Sequence, residues 1–174
     1  MTSTATRIMT STATSLIRVS SPLGRLELTS DEEQILSLSI ERGGHLPLDG
    51  APEVHSPVLD EAARQLGEYF AGTRTAFDLP VRLAGGTAFQ QAVWNRLAQI
   101  GFGEFLSYGE LGLEIGRPGS GRAIGGAVGA NPVPIIIACH RVLASNGRIT
   151  GYSGGNGIPT KVWLLDHEGI GHVA

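Results

Sequence analysis

The stretch NPVPIIIACHRV, residues 131–142, sets a reactive pair where a branched apolar run stops. Pro132 and Pro134 punctuate its start, Ile135, Ile136 and Ile137 read as the end of a core strand, and Cys139 and His140 follow. Cys139 is the sole cysteine. On composition alone, a single cysteine behind three isoleucines is a buried, inert packing residue. Its neighbours argue for chemistry: His140 takes up a proton near neutral pH, Arg141 adds fixed positive charge, and both favour the nucleophilic thiolate. Successive side chains in an extended segment point to opposite faces, so Cys139 and His140 are expected to communicate through a bridging water.

Upstream of this stretch the pattern is helical. Gly85-Gly86 marks a boundary, Thr87 with Gln90 forms a capping box, and Phe89, Val93, Leu97 and Ile100 fall on one helix face. Ser107 with Glu110 predicts a second capping box, opening a short helix with Leu111 and Ile115 inward and Gly116 at its end. After Arg117-Pro118-Gly119, Ser120 is expected to cap a third helix running to about Ala130. Two short helices joined by a Gly/Pro turn can be read as a helix-turn-helix, but spacing alone favours ordinary helical packing. The third helix is nearly bare: Gly121, Ala123, Gly125, Gly126, Ala127, Gly129 and Ala130 surround its only charge, Arg122. Small residues of this kind suit close packing on another helix or on a narrow nucleic-acid groove.

Downstream, Asn146-Gly147 is a tight-turn signal, Gly151 to Gly155 is a flexible loop, and Pro159 starts a last helix with Val162, Trp163 and Leu165 inward. That helix is expected to end at Gly169. Glu168 then sits where the helix dipole disfavours an acid, so it either frays into solvent or has a partner.

The first half of the chain reads differently. Residues 15–42 alternate apolar and polar side chains in three runs, which predicts a half-exposed antiparallel sheet. Gly43 to Glu53 is a loop, Ser56-Pro57 starts a helix with Leu59, Ala62, Leu66, Tyr69 and Phe70 at helical spacing, and a short strand is expected near Phe77 to Leu83. Its carboxylates, His45 and His55 read as solvated surface groups, with no chemistry of their own. The expected division is therefore a disordered tail at 1–14, with Met9 as a second start, an N-terminal α/β domain at 15–84, and a C-terminal domain at 85–174.

Composition bounds the rest. No apolar run nears the roughly 18 residues that span a bilayer, and the Ser/Thr-rich first residues lack the apolar centre of a secretion signal. One cysteine excludes an internal disulfide and fits a reducing, cytoplasmic setting. The net charge of −3 argues at first against a nucleic-acid partner. Its distribution argues the other way: residues 1–81 hold 6 Lys and Arg against 11 Asp and Glu, whereas 82–174 hold 7 against 5. The basic excess lies with the cysteine and is small, so salt sensitivity of any DNA binding should be moderate.

The stretch at 131–142 resembles the active-site segment of the O6-alkylguanine-DNA alkyltransferases, whose usual motif is Pro-Cys-His-Arg-Val after Asn-Pro and an aliphatic run. Phe89 to Trp94, SYGEL from Ser107, RAIGGA from Arg122, GYSGG from Gly151 and WLLDHEG from Trp163 are similar to that family as well. Ala138 departs from it, standing where the family usually has proline. The resemblance implies an α+β protein: a small N-terminal α/β domain with an antiparallel sheet, then a mainly α domain with a winged-helix-like helix-turn-helix. It implies that Cys139 takes the alkyl group from guanine O6 once and irreversibly. Glu168 would orient His140, Tyr108 would protonate guanine N3, and Asn131 would brace the turn before the active-site segment. Pro134 and Tyr152 would wall the base pocket, while backbone groups near Cys139 and Val142, with Ser153, read its polar edge. Arg122 would be the finger that fills the space of a flipped nucleotide, with Ala123, Gly125, Ala127 and Arg141 on the DNA-contacting side in the minor groove.

The implied partner is double-stranded DNA carrying O6-alkylguanine, with O4-alkylthymine as the further adduct to test. The implied protein is a monomer that needs no membrane, metal or cofactor. The structural zinc site of some relatives needs N-terminal cysteines that this chain lacks. Two other readings stand beside this one. Relatives without the cysteine bind damaged bases and do not repair them, and Ala138 raises that reading here; a cysteine hydrolase built on Cys139, His140 and Glu168 is the more remote one.

Overall fold

The computed structural model describes residues 14–173, so the expected tail at 1–14 and its second start at Met9 lie almost wholly outside the described residues. Strands β1 (Ser15–Ser21), β2 (Gly24–Ser30) and β3 (Ile35–Ile40) form one antiparallel sheet in the order β1-β2-β3. Helix α1 (Pro57–Phe70) covers it, opened by Ser56, whose hydroxyl accepts from the Leu59 N–H, with Pro57 in its first turn.

The sheet is less exposed than alternation predicts. Leu26 to Ser30 of β2 are all buried, because the loop after β3 folds over the outer face. Buried Glu27 there accepts from Arg18 Nε (3.2 Å) and from the Leu48 N–H (3.0 Å), so it is a structural ion pair and not a solvated group. The strand expected near 77–83 reduces to one parallel bridge between Ile35 and Val81. Pro80 accepts from Ile35 but has no N–H to extend the ladder.

The second half is mainly helical. Helix α2 (Ala88–Leu97) starts with the full Thr87/Gln90 capping box, and its Trp94 indole donates to the Ala127 carbonyl at 2.8 Å. Strand β4 (Leu106–Ser107) leads into helix α3 (Tyr108–Glu114), where the Ser107 hydroxyl accepts from the Glu110 N–H. Helix α4 (Gly121–Gly129) follows, but Ser120 makes no side-chain cap bond to it. The turn between α3 and α4 is tight: a Cβ at Gly112 would lie 2.9 Å from the Arg117 carbonyl oxygen, so only glycine fits. Strand β5 (Val142–Leu143) pairs in parallel with β4, and α5 (Ile158–His167) closes the chain.

The two halves share one apolar core. Ile17, Leu28, Leu66 and Tyr69 from the sheet and α1 belong to the same buried cluster as Trp94, Leu111, Ile124 and Cys139. The edge strand β3 also reaches the second half directly, its Leu38 N–H donating to the Pro132 carbonyl at 3.0 Å. The architecture is α+β, a small antiparallel sheet with one helix followed by a helical half, and no helix among the described residues is long and apolar enough to cross a membrane.

Candidate active site

The apolar run before the cysteine is not a strand. Its prolines and Asn131 fold it into consecutive turns: Asn131 Oδ1 accepts from the Val133 N–H (3.0 Å) and Asn131 Nδ2 donates to the Ile137 carbonyl (2.7 Å). Ile135 has φ of 72°, and the Ile136 N–H bonds back to the Pro134 carbonyl at 2.9 Å, a γ-turn of the strained, positive-φ kind. Ala138 is the centre of a second, relaxed γ-turn, with φ −79° and ψ 69° and the Cys139 N–H donating to the Ile137 carbonyl. Cys139–Arg141 then form one 3-10 turn, which overturns the expectation of an extended Cys139-His140 pair.

Cys139 reaches the surface through a cavity of about 580 Å³. Tyr108, Gly125, Gly129, Tyr152, Ser153 and Lys161 line it. The thiol donates to the Tyr152 hydroxyl at 3.9 Å, and Ser153 Oγ donates to the Gly129 carbonyl at 2.7 Å, pinning the 151–155 loop to α4. Pro134 borders a smaller cavity, of about 240 Å³, that also touches Cys139. Val142 is fully buried, and its carbonyl accepts from Lys161 Nζ at 2.6 Å. Thus Tyr108, Tyr152, Ser153 and Pro134 meet around the sulfur, whereas the Val142 side chain does not.

Behind the thiol lies a buried charge cluster. Glu168, at the end of α5, takes donors on both oxygens: Oε1 accepts from Arg141 Nε (2.7 Å) and the Gly103 N–H (3.3 Å). Oε2 accepts from His140 Nε2 (2.6 Å), Tyr69 Oη (2.7 Å) and Arg141 Nη2 (3.0 Å). The acid disfavoured by its helix end thus has its partners. Burial alone would raise this carboxyl, but the bonds from His140 and Arg141 overcome it and hold Glu168 well below the usual carboxylate range. Because Glu168 is ionised, His140 Nε2 carries the proton, and Nδ1 is left as a bare acceptor. Nδ1 is buried and has no hydrogen-bond partner among the described residues.

Arg141 corrects two expectations. Its guanidinium is buried on Glu168 and the Ile100 carbonyl, so it faces no DNA, and its charge is not free to favour the thiolate. Burial pushes the Cys139 thiol up, with the Asn131 amide, the Tyr152 hydroxyl and the Lys161 charge pulling more weakly the other way. Burial likewise pushes His140 down, against the pull of Glu168, which keeps the imidazole neutral. The site holds a neutral thiol and a neutral base, not a resting thiolate.

On α4, Arg122 and Ala123 are exposed and Gly125 faces the Tyr108 ring beside the cavity mouth. Ala127, expected on the same side, points into the core instead, since helical spacing turns it toward α2. Tyr69 and Lys161 were not singled out by the sequence. Lys161 is buried beside the cavity and lowered by that burial to about 8, and a Lys one turn into a predicted amphipathic helix gave no sign of it.

Known proteins resemble this one over nearly the whole chain. Residues 15–83 match the model of the 6-O-methylguanine DNA methyltransferase ribonuclease-like domain, and residues 88–170 match that of the same family's DNA binding domain. A methylated-DNA–protein-cysteine methyltransferase of Salmonella typhimurium is 37% identical over 168 residues, covering 87% of this chain and 94% of the relative. The one from Mycobacterium tuberculosis is 41% identical over 150 residues, covering 86% and 89%. The crystal structure of the Mycobacterium tuberculosis O6-methylguanine methyltransferase superposes with a TM-score of 0.79 at 39% identity, over 90% of this chain and 93% of that one. A crystal structure of the same protein in complex with DNA superposes with a TM-score of 0.77 at 40% identity, over 89% and 91%. With both of its halves matched in order and its relatives covered almost end to end, the chain belongs to the 6-O-methylguanine DNA methyltransferase family.

Proposed function

We propose that this methyltransferase binds double-stranded DNA through α4 in the minor groove, turns an O6-alkylated guanine into the cavity over Cys139, and takes the alkyl group onto its own sulfur. The observation that carries this reading is the pairing of a buried cysteine on a solvent-connected cavity with His140, whose Nδ1 is a bare acceptor held in place by Glu168. Nδ1 takes the thiol proton through a bridging water as the sulfur attacks the alkyl carbon. The carbon–oxygen bond of the adduct breaks, and guanine leaves with its electron pair, taking a proton at N3 from the Tyr108 hydroxyl. Asn131 acts by holding the turns that aim Cys139, while Tyr152 and Ser153 shape the wall and rim that receive the base. Exposed Arg122 fills the gap left in the duplex. Water does not reverse a thioether, so each molecule acts once, as a monomer in a reducing compartment and without metal or cofactor.

The direct test is incubation of excess methylated duplex with the protein, followed by mass spectrometry of its peptides. One methyl group per molecule, on the Cys139 peptide, is expected. Sustained multiple turnover would sink the mechanism.

Ala138 is compatible with transfer. Its φ of −79° is one that proline adopts, and its N–H has no acceptor among the described residues, so proline there removes no bond. Ala138→Pro is therefore expected to change the single-turnover rate by about tenfold or less, or about 1.4 kcal/mol of barrier. If the parent chain transfers nothing while Ala138→Pro does, the damage-binding reading replaces this one.

A further inference from the structure

We propose that Tyr69, a residue of the N-terminal half, is a positioning residue for the reaction, setting through Glu168 how strongly His140 acts as a base. The inference deepens the proposed function and rests on it. Its ground is a shared oxygen. The Tyr69 hydroxyl donates to Glu168 Oε2 at 2.7 Å, and the same Oε2 accepts from His140 Nε2 at 2.6 Å. A donor on that oxygen draws charge away from the face that His140 sees, so it weakens the stabilisation of the imidazolium that forms when His140 takes a proton.

The rest of the surroundings are accounted for. Facing His140 are Glu168 and Lys161 from α5 and its end, and Cys139 and Arg141 from its own turn. Among the described residues, Tyr69 is the group from the first half of the chain that hydrogen-bonds Glu168, and it does so across 99 residues of sequence. It is also held rigidly. The ring is buried, packs edge-on against Phe70, Phe102 and His167 and tilted on Phe77, and its carbonyl accepts from His167 Nε2 at 2.7 Å. With the ring held this way, the hydroxyl oxygen stays within hydrogen-bond reach of Oε2.

The sign of the effect follows. Without the Tyr69 hydroxyl, Oε2 presents more negative charge to His140, the imidazolium is stabilised, and His140 stays protonated to higher pH. Only the neutral imidazole accepts the thiol proton, so the acid limb of the rate profile moves upward.

The test uses the full-length chain and single-turnover transfer from methylated duplex, followed between about pH 5 and 8. Tyr69→Phe keeps the ring packing and removes only the donor. Its acid limb is expected to move up by about half a pH unit or more, which lowers the rate below that limb by about threefold relative to the parent. Phe77→Leu disturbs the same packing without touching the hydrogen bond, and its limb is expected to stay with that of the parent even where its Tm falls. A Tyr69→Phe limb that does not move, or one that Phe77→Leu moves equally, overturns the inference and leaves Tyr69 a packing residue. Absence of transfer by the parent chain itself instead overturns the function on which the inference rests.

Discussion

Cys139→Ser is expected to abolish methyl transfer, by more than about 10⁴-fold, while leaving affinity for duplex DNA essentially unchanged. The two halves of that expectation come from different parts of the molecule. The sulfur is buried whereas Arg122 and Ala123 on α4 are exposed, so its replacement by a similar-sized hydroxyl does not alter the surface that carries them. The chemistry is more sensitive. Burial already pushes the thiol up, so even sulfur depends on His140 to lose its proton, and a hydroxyl in the same place is far harder to ionise. Single-turnover transfer and a DNA-binding titration on the same preparation check both halves. Loss of DNA binding together with transfer would make Cys139 a packing residue first.

Glu168→Gln should have the largest effect on stability of any single change in the site. Oε1 and Oε2 between them satisfy Arg141, His140, Tyr69 and the Gly103 N–H, and a neutral amide cannot accept from all of them. Arg141 would be left buried without its counter-charge, a loss that costs about 3–5 kcal/mol. For a chain of this size that corresponds to a fall in Tm of roughly 6–20 °C. Transfer, measured where both proteins are folded, should fall by about 10²–10⁴-fold, since His140 loses the group that orients it and meets its charge. The pH dependence has a definite sign. The Glu168 carboxyl is depressed in the folded state, so its stabilisation is complete above the unfolded carboxyl value and is lost as pH falls through the folded one. The stability gap between parent and variant is therefore widest above about pH 5 and narrows in stronger acid. A Tm for Glu168→Gln indistinguishable from that of the parent would mean that the cluster is not held as described.

Much of this protein was determined locally. The three strands, the Ser56-Pro57 and Thr87/Gln90 helix starts and the short α3–α4 pair were legible because caps, turns and periodicity act between residues a few positions apart. Cys139 and His140 stood out as reactive types side by side, and Glu168 stood out because its helix end called for a partner. Only the tertiary structure decided which partner. Arg141 looks like a surface cation in its own neighbourhood and becomes a buried one through a carboxylate 27 residues away, while Tyr69 reads as one apolar position of α1 until its hydroxyl meets Glu168. The path of 131–138 was likewise hidden, because an aliphatic run serves a strand or a buried turn equally well, and the choice fell to Asn131, two prolines and the β3 edge, whose Leu38 N–H donates to the Pro132 carbonyl. Local pattern specified which residues are chemically able. Their ionisation, and hence which of them act, depends on burial and on hydrogen bonds across the domain boundary, and those exist only once the two halves have packed together.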